Sequence, residues 1–331
     1  MIMICSGAMP VNHATADDFD NFDQGRFLSF ISENDNFVPS RDDRHYTAGQ
    51  KLSYGFAKGE HPQWLDWLSR FSLLDTDNHE YDIAVGQSIF TPRAFIIRPL
   101  IINDRPYAGW LYGEVSVTNR GNRVEDQFVL SAGVVGPAAL GEEAQKFIHS
   151  ISGDPEPQGW DNQLENEPVL LLHYRRSWFQ DLYSSDSLGV DYVPRAAVSL
   201  GNVASELGLG SSLRVGSHLP TRDVPQRIQP GLNASSPRFE ARKGRIDWMF
   251  SGSFHGRAVL RNIFLDGNTF EDSHDVNRRV LTWDASLGLM LTFGQFSKPV
   301  ALSFTHVWRG KEFDAQREVD KFGSIHLSVK F

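Results

Sequence analysis

Two short stretches hold residue types at spacings from which chemistry can be built. The first is ENDNF at Glu33–Phe37, where Asn34 and Asp35 follow an apolar alternating run. An amide oxygen beside a carboxylate can serve a hard cation such as Ca2+, which takes carboxylate and carbonyl oxygens. Asn and Asp are also ordinary turn formers, so the pair alone more often marks a solvated acidic loop. The second stretch is GPAALGEEAQKFIHSISG at Gly136–Gly153. Pro137 suits a first helical turn and Gly153 a stop. Between them, Glu142, Gln145 and His149 fall three and four residues apart on one face, beside an apolar stripe of Leu140, Ala144, Phe147 and Ile151. The pattern predicts a short helix that packs its apolar stripe on the rest of the protein and presents Gln145 and His149 together. An imidazole titrates near neutral pH and can take a proton from water as general base. A lone histidine on a loop helix is more often incidental, so its weight here comes from its neighbours.

A third stretch, IIRPLIINDRPYAGWLY, carries Arg98 just before Pro99, a cation suited to an anionic ligand. Its Asp104-Arg105-Pro106-Tyr107 reads as a turn in which Arg105 pairs with Asp104. There is no G-x-S-x-G motif to mark a serine nucleophile, which leaves water as the simpler attacking group. The single cysteine, Cys5, excludes an internal disulfide and any Cys-based metal site. The net charge of -9 argues against a general nucleic-acid binder, which needs clustered Lys and Arg.

The elements that must position these residues repeat with period two. In HYTAGQKLSYGF, Tyr46, Ala48, Leu52, Tyr54 and Phe56 alternate with polar or small residues. The same holds for Leu207, Leu209, Leu213 and Val215, and for Leu281 through Phe293. No run approaches the ~18 apolar residues of a membrane helix, whereas alternating strands of ~10 residues with aromatics near their ends suit a transmembrane barrel. The chain closes on SIHLSVKF, with Ile325, Leu327, Val329 and Phe331 on one face. Strands are expected near 26–33, 46–57, 81–90, 107–118, 124–135, 169–179, 192–200, 206–216, 244–265, 280–293, 299–309 and 322–331. This predicts an all-β antiparallel barrel of about twelve strands, an even number as single-chain bacterial barrels have. The connections 34–45, 91–106 and 136–168 then share the extracellular rim, with the short helix in the third. The segments 57–80 and 217–243 fall on the periplasmic side, long for turns, and HPQWLDWLSRFSLL in the first reads as a short amphipathic helix.

In ENDNF, DRHYTAG, NDRPYAGWLY, GVVGPAALGEEAQKFIH and GWDNQLENEP, in this order and spacing, the sequence resembles the outer-membrane lipid A 3'-O-deacylases, the LpxR-like barrels. The resemblance covers nearly the whole chain after residue 16. It implies a twelve-stranded barrel and a Ca2+-dependent ester hydrolase that removes the 3'-linked acyloxyacyl group of lipid A in lipopolysaccharide, with its site facing the outer leaflet. Carried over by motif, it implies that Asn34 and Asp35 belong to the catalytic group, with Asp35 the metal ligand. Thr47 matches the Thr of Tyr-Thr-Ala-Gly, near the cation; His149 matches the base and Gln145 the residue one turn before it. Arg98 matches a basic position toward a lipid phosphate, and a carboxylate that orients the base falls near Asp154 and Glu156. A cation at Asp35 would polarise the ester carbonyl while His149 deprotonates water. The alternatives are a barrel phospholipase of similar chemistry, a channel or structural barrel, and a soluble Ca2+-binding β-protein. Residues 1–16, ending Ala14-Thr15-Ala16, read as a signal peptide with a short leader, and 17–331 as the barrel.

Overall fold

A computed structural model of the chain describes residues 25–38, 45–74, 76–228 and 236–331. The expected signal peptide lies outside the described residues. Twelve antiparallel strands close into a barrel: β1 (Phe27–Asn34), β2 (His45–Gly55), β3 (His79–Thr91), β4 (Ala108–Gly121), β5 (Val124–Val135), β6 (Glu167–Trp178), β7 (Gly189–Gly201), β8 (Ala204–Gly216), β9 (Ile246–Asn262), β10 (Leu281–Phe293), β11 (Val300–Arg309) and β12 (Asp320–Lys330). Phe179 interrupts β6, whose continuation Gln180–Ser184 stays paired with β7. Each strand pairs with its neighbour in sequence, and β1 closes on β12 with Phe27 opposite Lys330. The expected strands and their number hold, and the expected 244–265 is one long strand, β9.

The alternation sorts the side chains opposite to a soluble protein. Leu28, Phe30, Leu52, Ile83, Val85, Leu207, Leu209, Phe250, Leu302 and Ile325 point outward and are exposed, while Ser29, Glu33, Lys51, Asp82, Glu206 and Arg257 point inward and are buried. Apolar outside and polar inside is stable only where hydrocarbon surrounds the wall. With the strands paired around a closed ring, the barrel leaves no open sheet edge to lipid.

The lumen is filled rather than open. The sequence places 217–243 as a long turn, but its described parts fold up inside the barrel. Arg222 Nη1 donates to Glu80 Oε2 at 2.6 Å, and Asp223 accepts from Arg195 at 2.7 Å. Arg238 donates to Asp82 at 3.0 Å, and the Ile228 amide reaches Glu33 Oε1 at 2.9 Å, near the far end of β1. The reason is electrostatic: charges inside the wall lack water and need partners, and the strap supplies them. The stretch read as an amphipathic helix forms a 3-10 turn, Gln63–Phe71, with Leu65 and Leu68 packed on Tyr81, Val117 and Phe128.

Candidate active site

The outward face of the wall changes character where β1 ends. Leu28 and Phe30 give way to Ser32 and Asn34 along β1, Leu52 to Gln50 along β2, and Val85 to Gln87 and Thr91 along β3. These polar groups connect: Gln50 donates to Ser32 Oγ at 3.0 Å, and Gln50 sits opposite Gln87. A β-bulge joins the patch. Tyr46 pairs with Phe90 and Ala48 with Ile89, so Thr47 is the extra residue between them. Its hydroxyl meets that of Thr91 at 2.7 Å. Tyr46 stays inside and donates to Glu33 at 2.8 Å, and Arg105, expected to pair with Asp104, also turns inward, to Glu312 at 2.8 Å. Asp104 instead accepts the backbone N–H groups of Arg93 and Arg105 and faces His45 Nε2 at 3.3 Å.

The short helix α1 (Gly141–Ser152) lies against the outside of this patch. It begins later than Pro137, which opens a separate 3-10 turn ended by Leu140 in the left-handed region; Gly153 stops it at φ 79° as expected. Of the expected apolar stripe only Ala144 packs inward; the rest of it turns away from the wall. Gln145 and His149 are 2% and 5% exposed, whereas Phe147 and Ile151 of the apolar stripe are 63% and 70% exposed. Outside a membrane barrel the solvent is lipid, so the apolar stripe turns outward and the polar stripe turns to the wall. Gln87 fixes the approach by donating to the Ala139 and Leu140 carbonyls at 2.7 and 3.2 Å. Gly109 and Gly141 make it close: a Cβ built on Gly109 would stand 3.1 Å from Gly141 Cα.

The site residues are gathered by this packing. Asn34 lies opposite Ala48, and Ala48 opposite Ile89. Ile89 packs with Tyr107 and Trp160, against Phe95 and Ala144. Neighbouring strands are about 4.8 Å apart, so β1 and β3 are about 10 Å apart across the patch. Gln145 accepts from Trp160 Nε1 at 2.8 Å, and the His149 ring meets Phe95 edge-on at 5.5 Å. His149 Nδ1 lies 2.6 Å from the Pro155 carbonyl. A carbonyl only accepts, so Nδ1 carries the hydrogen and Nε2 is the nitrogen that bears the lone pair of the neutral ring. The Pro155 carbonyl thus holds the Nδ1 edge of the ring. The Glu156 carboxylate, one of the two acids in that neighbourhood, goes to Lys146 at 3.3 Å.

Two expected residues stand apart from the helix. Asp35 opens a 3-10 turn, Asp35–Phe37, that packs at the rim beside β2 and β12, and it is buried. Asn34 caps this turn, its Oδ1 accepting the Asn36 N–H at 2.7 Å. Arg98 is exposed and pairs with Asp161 at 3.0 Å, while Asn162 donates to the Arg98 carbonyl. Trp160, Phe95, Thr91 and the Pro155 carbonyl were not singled out by sequence reasoning. Trp160 stood within GWDNQLENEP, but nothing in its spacing links it to a residue fifteen positions earlier.

Electrostatics at the rim are set by burial against cations. Burial pushes the Glu312 carboxyl up, but Arg309, Arg105 and Arg257 outweigh it and hold it down at about 2. Burial likewise works against ionisation of Asp104, yet the His45 ring and the Arg93 and Arg105 amides keep it below the usual carboxylate range.

The comparison with curated proteins returned no match. Among solved structures, LpxR from Salmonella typhimurium is similar at a TM-score of 0.75 and 20% identity, over 92% of this chain and 100% of that one. A bacterial polysaccharide outer membrane secretin and the beta domain of the Bordetella autotransporter BrkA follow at TM-scores of 0.36 and 0.41, with 9% and 6% identity, each over 93% of this chain and 99% and 98% of theirs. Those two likenesses are too distant to carry an argument. The profile of the family described as "Outer membrane protein LpxR" matches residues 1–331. With that match over the full length, on a twelve-stranded barrel with a helix against its outer wall, the chain belongs to the LpxR family of outer-membrane lipid A deacylases.

Proposed function

We propose that this barrel hydrolyses the ester of the 3'-linked acyloxyacyl group of lipid A, with Ca2+ as cofactor and its site facing the outer leaflet. The observation that carries the reading is the tautomer of His149. Its Nδ1–H is held by the Pro155 carbonyl, on a helix face turned to the wall that bears Asn34 and Thr47. That makes Nε2 the general base toward water, the attacking group in a site without a serine elbow. The geometry also suits an amphiphile. Phe147, Ile148 and Ile151 of α1, and Ile96, Ile97, Leu100 and Ile102 of the neighbouring loop, expose their side chains around the polar patch. An acyl chain can lie along that surface while its ester enters between helix and wall. Arg98 at the outer edge is suited to a phosphate, with Asp161 as its partner when no lipid is bound.

The donor set at β1 fits a hard cation. Its named donors are all oxygen: the buried Asp35 carboxylate, the Asn34 amide and the Thr47 hydroxyl. Among the described residues no group of three or more His, Cys, Asp and Glu is placed to hold a metal, so neutral oxygens would complete the shell. Ca2+ accepts such a shell. Bound there, it would polarise the ester carbonyl and offset the negative charge that develops on its oxygen. The filled lumen gives the channel reading no support. Mass spectrometry of purified lipid A incubated with the folded protein, with and without chelator, tests the proposal. Loss of the 3'-linked acyloxyacyl group, abolished by chelator and restored by Ca2+, is expected. Release of a different acyl group, or full activity in excess chelator, overturns the specificity or the metal role respectively.

A further inference from the structure

Gln145 is 2% exposed, and its side-chain oxygen accepts a hydrogen bond from Trp160 Nε1 at 2.8 Å. An indole N–H only donates. The amide must therefore turn its oxygen toward Trp160 and its NH2 away. Among the described residues, Gln145 Nε2 has no hydrogen-bonding partner. Buried amide donors are almost always satisfied, and one left unmet in a native fold calls for an explanation. A ligand atom that completes it is the simplest.

Trp160 is well placed to enforce this orientation. It is 2% exposed and lies 5.0 Å, centroid to centroid, from the Tyr107 ring. A Cβ built on Gly141 would stand 2.7 Å from its ring, so the indole is wedged against the start of α1 itself. Gly159, just before it, leaves room for Tyr107, where a Cβ would come within 2.4 Å of that ring. The indole thus has little freedom to swing, and without its N–H the amide could rotate and offer an acceptor. Gln145 lies one helical turn before His149 on the same buried face. A donor there could stabilise an ester oxygen that becomes negative when water attacks, whereas an acceptor would repel it.

We infer that Trp160 is a positioning residue, which holds the Gln145 amide so that it presents a hydrogen-bond donor to the ester oxygen of the substrate. The inference rests on reading this site as a hydrolase. It is tested with Trp160→Phe, Gln145→Leu, Gln145→Glu and the double variant Trp160→Phe/Gln145→Leu. All are folded in detergent and compared by the shift between boiled and unboiled samples on a gel. The probe is purified lipid A, with kcat and KM measured separately. Gln145→Leu should lose roughly 10²-fold in kcat, the loss typical of a deleted oxyanion donor. Trp160→Phe should lose about 10-fold in kcat with little change in KM, because the amide is misoriented rather than absent. The double variant should be no slower than Gln145→Leu, since Trp160 acts only through Gln145. Gln145→Glu keeps an oxygen for the indole but loses the donor, and should be about as slow as Gln145→Leu.

Ultraviolet resonance Raman difference spectra read the indole N–H bond without catalysis. The bond should vanish in Gln145→Leu and persist in Gln145→Glu. Trp160→Phe at the wild-type rate, losses that multiply in the double variant, a fully active Gln145→Glu, or no spectral change in Gln145→Leu would each overturn the inference. A wild-type protein that leaves lipid A intact, with the spectral change still seen on Gln145→Leu, would remove the hydrolase reading, and the donor role with it, but not the indole–amide bond.

Discussion

Substituting Gly141 by alanine should cost most of the activity while leaving the barrel folded. The residue opens α1 with an ordinary negative φ, so alanine meets no backbone penalty and gains slightly in helix propensity. Only space decides the sign. A Cβ there would lie 2.7 Å from Trp160 Cη2 and 3.0 Å from the Gly109 Cα. Carbon atoms in ordinary contact are ~3.5–4.0 Å apart, so helix or indole must give by about 1 Å. The indole is packed against Tyr107 and Gly109 belongs to the wall, so the helix yields. Overpacking of this kind costs typically ~1–3 kcal/mol, a cost borne by the helix contact rather than the strand ladder, because α1 lies outside the barrel. Gln145 and His149 ride on that helix, and a 1 Å misplacement of catalytic groups can cost about 10²-fold in rate. The assay is deacylation of purified lipid A by detergent-folded protein, with the gel shift on boiling as the fold control. A Gly141→Ala protein within about threefold of wild type would refute the close-approach argument. Gly109→Ala, whose Cβ would meet Gly141 Cα at 3.1 Å, should behave alike.

Further expectations concern the base, the cation, the phosphate and the rim. His149→Ala should lose roughly 10²–10⁴-fold in turnover, the usual span of general-base catalysis; an alanine variant at the wild-type rate would eliminate His149. Asp35→Ala should raise the Ca2+ concentration needed for half-maximal rate or abolish activity, and an unchanged Ca2+ titration would contradict its role. Arg98→Ala should raise KM for phosphorylated lipid A with little effect on stability, because an exposed pair with Asp161 contributes only ~0–1 kcal/mol; the dephosphorylated lipid should show no such change, and an equal change for both would sink the phosphate contact. Glu312 is held at about 2, below the ~4.3 of a free glutamate, so its stabilisation is present above the unfolded value and is lost as pH falls from about 4.3 through about 2. Hydrogen exchange in 310–319, corrected for intrinsic rates, should therefore stay protected at pH 5 and accelerate toward pH 2, and constant protection across that window would show that its ion pairs do not hold the loop.

The fold was legible in the sequence because a barrel wall obeys a local rule. Each strand must alternate between lipid and lumen, so period two in segments such as Leu281–Phe293 marks both its faces without knowledge of its neighbours. The candidate residues were legible for a similar reason: Asn34 next to Asp35, and Gln145 four residues before His149, are relations within one turn or one strand end. Local periodicity says which residues share a face, but not what that face meets. The stripe Leu140, Ala144, Phe147 and Ile151 was expected against protein; only Ala144 packs there and the other three turn outward, because the sign of burial depends on the solvent around the barrel. Thr47 reaches the site only through a bulge, a property of two strands in register. The described parts of 217–243 look like a turn until the lumen charges they neutralise are seen around them. The tautomer of His149 hangs on the Pro155 carbonyl, and the orientation of Gln145 on Trp160. The sequence by itself thus determined the wall and named the candidate side chains. Tertiary structure alone decided which way they face and which proton each one holds, because hydrogen-bond direction is fixed by partners that packing, not sequence distance, brings within reach.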